Sequence, residues 1–281
     1  IKINHHGQAV QHLLTFLKRK KLVTDFNQLL GIGHRVVNCG PDLTQSCLIT
    51  PTVIAEMERN IAFAPLHNRP MLHTIKAFAD YSSVPAVAIF DVSFHQTIPM
   101  VNYLYPVPYQ WYAQYAVRRY GMHGTNYRYV VQVLVNLLKK PVRKINAIIC
   151  HLGNGASVCG VKNGQSVITS MGITPLEGLM MGTRSGDVDP AIGQYLATKI
   201  NLDLNQFVDA LNFSSGLLAV SGVSGDMRTI KLRADQGHKR CRLAIEMFVS
   251  RVVKYISWYQ NEVGLPLDCV VFTGGIGENA A

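Results

Sequence analysis

The stretch Ser170–Pro190, SMGITPLEGLMMGTRSGDVDP, has a composition that no ordinary packing element requires. Gly172, Gly178, Gly182 and Gly186 punctuate it, and glycine at that density permits positive φ and lets main chain come close to a ligand. Within it Thr183-Arg184-Ser185-Gly186-Asp187 sets one permanent cation among two hydroxyls and a carboxylate. That mixture suits a planar guanidinium gripping an oxyanion through paired hydrogen bonds, with Asp187 and Asp189 placed to hold the arginine still. A plainer alternative is a turn in which Arg184 pairs with Asp187, ahead of a helix capped by Asp189 with Pro190 at its first position.

Other residues could join such chemistry. The run Leu29–Val37, LLGIGHRVV, reads as a buried strand carrying His34 and Arg35, and charge is unfavourable there unless the strand edges a polar site. An arginine snorkelling from a strand end would read the same way. The apolar strand Pro85–Phe90 stops on Asp91, and the carboxyl end of a buried strand is where α/β folds place site residues, although a loop or cap role is the competing reading. His123 stands between Gly121-Met122 and Gly124, poorly packed by its neighbours and so available for contact, or else structural. Strand Ile145–Cys150 runs into His151-Leu152-Gly153-Asn154-Gly155, followed by a hairpin turning on Asn163-Gly164. Backbone N–H groups freed by those glycines could cradle phosphate, or the segment is a simple turn. The chain has no GxxxxGK[ST] loop, and Gly275–Ala280 matches only the looser dinucleotide pattern G-x-G-x-x-A.

The elements that must position these residues follow from periodicity. Helices are expected over His5–Lys20, Pro51–Ala62, Met71–Tyr81, Asn126–Lys140, Ala191–Lys199, Leu204–Asn212 and Arg240–Glu262. A turn is expected at Ala64–Asn68, a loop at Ser221–Arg228, and a last strand at Val270–Thr273 running into the glycines Gly274–Asn279. With 281 residues, 48% of them hydrophobic, the chain holds one large domain or two ordinary ones. No apolar run reaches the length of a membrane span and Ile1–Gly7 lacks a signal-peptide pattern, so the expectation is a cytoplasmic protein with no membrane partner. Six scattered cysteines form no CxxC pair or zinc cluster, and buried thiols in a reducing compartment are expected. The net charge of +10 raises anionic partners. No aromatic-interleaved basic motif accompanies it, so nucleic acid is not expected.

Taken together, GHRVV (Gly33–Val37), APLHN, FDVSFHQT (Phe90–Thr97), RRYGMHGT, CHLGNGAS, TSMGITPLEGLMMGTRSGDVDPAI, SGLLAVSG and VFTGGIGENAA occur in the order and kind seen in acetate kinases. The chain resembles that family, with its propionate and butyrate relatives, over nearly its whole length. The resemblance implies an α/β, actin-like fold of the sugar kinase/Hsp70/actin (ribonuclease H-like) type. It would have two domains: residues 1–95 part of the substrate-side domain, and 96–281 part of the nucleotide-binding domain. It also implies phosphoryl transfer from ATP to acetate or another short carboxylate, with Mg²⁺, ATP/ADP and a second copy of the chain as partners. Carried over by motif, Arg35 would bind the substrate, Asp91 would be the catalytic carboxylate, and His123 and Arg184 would stabilise the transition state. His151, Gly153, Asn154, Gly155, Asp226, Met227, Arg228, Gly274, Gly275, Ile276, Gly277, Glu278 and Asn279 would hold the nucleotide, and no residue of this chain is assigned to the metal.

The sequence departs from the family pattern in places. Asn38-Cys39-Gly40-Pro41 stands where HGGE usually follows GHRVV, Tyr127 replaces the second histidine of GFHGTSH, and Ile168 replaces an aspartate before TSMG. The family's N-x-G-S-S-S phosphate loop and everything beyond the GIGEN segment, including a glutamate for Mg²⁺, have no counterpart in these residues. The expectation is a fold incomplete at both termini and a chain inactive by itself, a sugar-kinase relative and a nucleotide-binding remnant being the competing readings.

Overall fold

A computed structural model describes residues 6–80 and 83–279. The chain divides into two units, Ile1–Ser93 and Phe94–Ala281.

In the first unit helix α1 (His6–Arg19) places Val10 and Leu14 against Phe26 on its apolar face. Its basic end, Lys18 and Arg19, suits the carbonyl end of the helix dipole; His5 lies outside the described residues. Strand β1 (Ile32–Val36) is shorter than the run Leu29–Val37 suggested and is not buried throughout: Gly33 and Arg35 face outward while His34 and Val36 face the core. The side-chain period of two therefore resolves the conflict between a core strand and a charged residue. After the short β2 (Cys47–Leu48) comes α2 (Pro51–Arg59), capped by Thr50 with Pro51 in its first turn. The turn expected at Ala64–Asn68 is instead the start of α3 (Pro65–Ala79). Pro65 is pre-set for a first helical position, and Asn68, fully buried, ties that turn down by donating from Nδ2 to the Asn38 carbonyl at 2.6 Å. The helix ends at Ala79, and Tyr81 lies outside the described residues. Strand β3 (Ala86–Phe90) is central, parallel to β1 and antiparallel to β2. Its register sets Arg35 opposite Ile89 and Val36 opposite Phe90.

The second unit begins with the short helices α4 (Met100–Tyr103) and α5 (Tyr109–Tyr115), then α6 (Gly124–Leu138). Strands β4 (Ala147–Leu152), β5 (Ala156–Lys162) and β6 (Gln165–Thr169) follow, and β4 reaches two residues further than read, so that His151 is part of it. The Asn163-Gly164 turn is as expected, with φ of 54° and 75°, the paired positive values a two-residue hairpin needs. Helices α7 (Ala191–Ile200) and α8 (Leu204–Phe213) fall near their expected places. The loop expected at Ser221–Arg228 is shorter than read, since α9 (Gly216–Ser221) ends on its first residue and α10 (Met227–Asp235) takes its last two; neither helix was expected. The long α11 (Lys239–Val263) buries Cys241, Ala244, Phe248, Val252, Tyr255, Tyr259 and Val263 along one stripe, and each large apolar member contributes about 1.5–3 kcal/mol by leaving water. Strand β7 (Cys269–Thr273) adds parallel to β4, giving the order β6-β5-β4-β7. The glycine run after it is a helix, α12 (Gly274–Asn279), not an open loop; the Ala280 that would complete the dinucleotide pattern lies outside the described residues.

All six cysteines are free thiols. Cys39, Cys150, Cys159 and Cys241 are buried as expected, whereas Cys47 and Cys269 are only half-buried. Burial alone pushes the Cys150 thiol up to about 12 and, as the largest cause, the Cys159 thiol likewise to about 12, so both are inert. No helix of the described residues is long and apolar enough to cross a membrane.

Candidate active site

In the first unit the parallel pairing of β1 and β3 brings together two of the expected residues. Asp91 follows β3 directly and has 1% of its side chain exposed, while Arg35, two residues back in register on β1, is 61% exposed. Arg35 donates from Nε to Oδ1 (3.0 Å) and Oδ2 (3.1 Å) and from Nη2 to Oδ2 (2.5 Å). Those hydrogen bonds hold Arg35 above the usual guanidinium value against the opposing pull of burial. Asp91 is thus engaged with a cation at both oxygens, and Nη1 is the edge of Arg35 that it leaves. Asn38, where the family has histidine, is buried and closes a turn by accepting from the Gly40 N–H at 3.0 Å.

In the second unit the loop Ser170–Pro190 is fixed on both flanks. Arg119 donates to the carbonyls of Ser170 and Met171 and pairs with Glu177 at 2.5 Å, and Tyr105 donates to the same carboxylate. A Cβ at Gly172 would fall on the Glu177 carboxylate and the Tyr105 hydroxyl, so a side chain there would displace that pairing. Gly186, at φ 69°, packs so close to the carbonyls of Gly178 and Leu179 that a side chain has no room. Asp187 does not hold Arg184, as the sequence suggested. Its Oδ1 accepts from the Gly178 N–H (2.9 Å) and its Oδ2 from Tyr255 on α11 (2.6 Å). Asp189 accepts from the Ala191 N–H at the start of α7, with Pro190 in the capping position one residue before the helix. Arg184 itself donates from Nη1 to the Pro175 carbonyl at 2.7 Å, and none of the ion pairs of the described residues includes it. Burial without a counter-charge lowers its pKa.

Arg184 Nη2 and His123 Nε2 both face Gly155, standing 3.0 Å and 3.7 Å from where a Cβ would lie. A side chain at 155 would therefore fill the space the two cationic or donor groups share. His123 caps α6 in a left-handed conformation (φ 62°) and stacks on His151, ring centroids 4.1 Å apart. Its Nδ1 is 2.7 Å from Ser157 Oγ. The peptide before it is anchored from behind: the buried His95 hydrogen-bonds the Met122 carbonyl through Nε2 (2.9 Å) and Ser166 through Nδ1 (2.8 Å). Only a donor can face a carbonyl, so the proton of a neutral His95 ring is on Nε2.

The same β4–β5 turn also lines a cavity of about 640 Å³. Gly153 and Asn154 from the turn, Asp226, Met227, Arg228 and Lys231 from α10, and Gly275, Ile276 and Asn279 from α12 line it. The parallel β4–β7 pair brings the first and last of these segments side by side. Gly182 joins the second by donating its N–H to the Asn154 carbonyl, while its own carbonyl lies against Gly225. Of the residues expected at the nucleotide, His151, Gly155, Gly274, Gly277 and Glu278 stand outside that lining. His151 hydrogen-bonds Asn126, Gly274 packs its α-carbon on the Leu152 carbonyl, and Glu278 accepts from the Gly274 N–H. Lys231 was not anticipated, because it lies one helical turn beyond Arg228 on a helix that the flanking Gly222 and Gly225 conceal. Arg228 pairs with Asp226, the N-cap of α10, and the arginine lowers the carboxyl pKa of Asp226. Tyr127 and Ile168, the two departures from the family pattern in this unit, are both buried, Tyr127 with its hydroxyl on Ser157 and Ile168 against Gly160.

A family model described as the Acetokinase family matches residues 1–281. The acetate kinase of Geobacillus kaustophilus is 44% identical over 279 residues, 99% of this chain and 70% of that protein. The acetate kinase of Mycoplasma genitalium is 45% identical over 282 residues, 100% and 70%. Among solved structures, Porphyromonas gingivalis acetate kinase superposes with a TM-score of 0.91 at 40% identity, covering 100% of this chain and 71% of that one. A propionate kinase from Francisella tularensis gives 0.91 at 39%, covering 98% and 70%. With the whole sequence matched, and an α/β fold with mixed sheets shared with solved members, the chain belongs to the acetokinase family.

Proposed function

We propose that this chain is a carboxylate kinase that moves a phosphoryl group between ATP and acetate. The observation that carries the reading is Arg184: a partly buried guanidinium placed beside His123 at Gly155 and given a carbonyl but no carboxylate. Such a cation stabilises an anion that arrives from outside the protein.

The chemistry fits the residues. A carboxylic acid titrates near ~4, so the acceptor is already ionised at neutral pH and needs no general base. What it must overcome is repulsion from a polyphosphate, and donors fixed around the transferring group answer that. Arg184 and His123 supply them at the β4–β5 turn. In the cavity lined by Gly153 and Asn154, Lys231 adds a cation to the Arg228–Asp226 pair and gives the lining a net positive charge for a nucleoside polyphosphate. Asp91, engaged with Arg35, orients that arginine and does not take a proton, and Arg35 offers Nη1 to the carboxylate substrate. In this reading residues 1–95 belong to the substrate side and 96–281 to the nucleotide side. Among the described residues no set of three or more His, Cys, Asp or Glu side chains stands ready to hold a metal. Mg²⁺ takes few protein ligands and would enter with the nucleotide, supplying positive charge against the phosphates.

A propionate kinase superposes as well as an acetate kinase does, so a slightly longer carboxylate is the second reading. Trapping acyl phosphate as hydroxamate with ATP, Mg²⁺ and acetate, propionate or butyrate separates the acceptors. The assay is run on these 281 residues and on a protein that also carries the N-x-G-S-S-S loop and the segment beyond GIGEN. Hydroxamate from acetate is expected; phosphorylation of glycerol or a hexose instead would sink the reading.

A further inference from the structure

His123 meets Ser157, and Ser157 meets Tyr127, in one chain of side chains whose last two members are fully buried. Ser157 projects from β5 opposite His151, is fully buried, and its Oγ lies within hydrogen-bond reach of both His123 Nδ1 (2.7 Å) and the Tyr127 hydroxyl. A serine hydroxyl has one proton to give. Given to Tyr127, it leaves Oγ to accept from His123, and the imidazole proton is on Nδ1. Given to His123, it makes Nδ1 an acceptor, and the proton of the neutral ring is on Nε2. The phenol decides between them: Tyr127 has no exposed surface, and a phenolic O–H is a stronger donor and weaker acceptor than an aliphatic hydroxyl. Its ring is held in place against Phe94 and edge-on to His95, 5.6 Å between centroids.

We propose that Tyr127 is a positioning residue that, through Ser157, fixes His123 in the Nε2–H tautomer, so that the nitrogen facing Gly155 beside Arg184 is always a donor. A neutral imidazole in the other tautomer would present a lone pair to the incoming phosphoryl oxygens and repel them. The stacked His151 has the complementary arrangement, its Nδ1 donating to Asn126 Oδ1 at 3.0 Å. This inference rests on the reading of His123 as a donor to the transferring group, but its central statement concerns a proton on a ring atom and is measurable without substrate.

The test is long-range ¹H–¹⁵N correlation on ¹⁵N-histidine-labelled protein, with His123 assigned by its disappearance in His123→Gln. Wild type should show Nε2 as the protonated nitrogen and Nδ1 as the acceptor. Tyr127→Phe, which keeps the buried ring, should move His123 toward a mixture of tautomers, and Ser157→Ala should do the same by removing the intermediate hydroxyl. Should Tyr127→Phe fail to fold, Ser157→Ala carries the test. Where turnover is readable, Tyr127→Phe should lower kcat about tenfold, as for one lost hydrogen bond, with KM unchanged. Tyr127→His, which restores a ring donor, should recover the wild-type tautomer in part. Nδ1 protonated in the wild type, or an unaltered His123 tautomer in Tyr127→Phe or in Ser157→Ala, would overturn the proposal. Failure of every carboxylate acceptor would overturn the kinase reading while leaving the tautomer result intact.

Discussion

Two arginines serve the loop Ser170–Pro190, and they are treated in opposite ways. Arg119 is 13% exposed and fully answered: Glu177 neutralises it and two carbonyls take further donors. Burial works against its charge, yet Glu177 and neighbouring tyrosines more than offset this and hold its pKa up. Arg184 has the Pro175 carbonyl and no carboxylate, and burial pulls its pKa down. The first arginine fixes where the loop lies; the second is what the loop carries. Arg35 in the other unit stands between them, paired with a buried carboxylate but itself largely in water.

Replacing each arginine with an apolar residue of similar length should separate activity from stability. Arg184→Ala is expected to lose about 10³-fold in kcat, the scale of a deleted transition-state donor, and Arg184→Met should lose as much while its thermal midpoint stays or rises. Arg119→Met should do the reverse. It leaves the partly exposed Glu177 with Tyr105 alone, and denaturant unfolding should report about 2 kcal/mol of lost stability, below the cost of breaking a fully buried pair. An Arg184→Met protein destabilised as much as Arg119→Met would erase the distinction. For Arg35→Ala a loss of about 1 kcal/mol is expected, less than for Arg119 because solvent screens the exposed guanidinium.

The smallest effect is one of pH. His34 is buried beside Phe78 on the core face of β1, and burial lowers its pKa. At pH values between the folded and unfolded pKa the unfolded chain binds more protons, so this group's contribution is complete above about 6.5, the unfolded value, and is lost as pH falls through the folded one. The drop in melting temperature between pH 7.5 and 5.5 should therefore be smaller in His34→Leu than in wild type. An equal drop would show that the buried imidazole does not couple to folding.

Many residues of this candidate site stand out by type and spacing alone. The glycine-bounded Arg184, the His123 between small residues, the turn at Gly153–Gly155 and the carboxylate closing β3 all announce themselves because their local chemistry conflicts with simple packing. What could not be read are partners distant in the chain. Asp187 lies three residues from Arg184 and so suggests itself as its counter-ion, but it is spent on Gly178 and on Tyr255, 68 residues away. Glu177 likewise finds Arg119, 58 residues back. Helix α10 and Lys231 were hidden because Ser221–Gly225 carries turn chemistry that masks the helix start at the Asp226 cap. The GGIGEN segment forms a helix against its composition, because Gly274 and Gly277 allow the backbone to pack on Leu152 and Phe272.

The account turns on Arg184 acting through the shape of its guanidinium and not through charge alone. The direct test compares acyl phosphate formation from ATP and acetate by Arg184→Lys and Arg184→Ala, in whichever of the two chain lengths turns over. A lysine supplies the same charge as a point and cannot grip Pro175 and a phosphoryl oxygen in one plane. The prediction is that Arg184→Lys loses nearly as much kcat as Arg184→Ala; wild-type kcat in the lysine variant would contradict it.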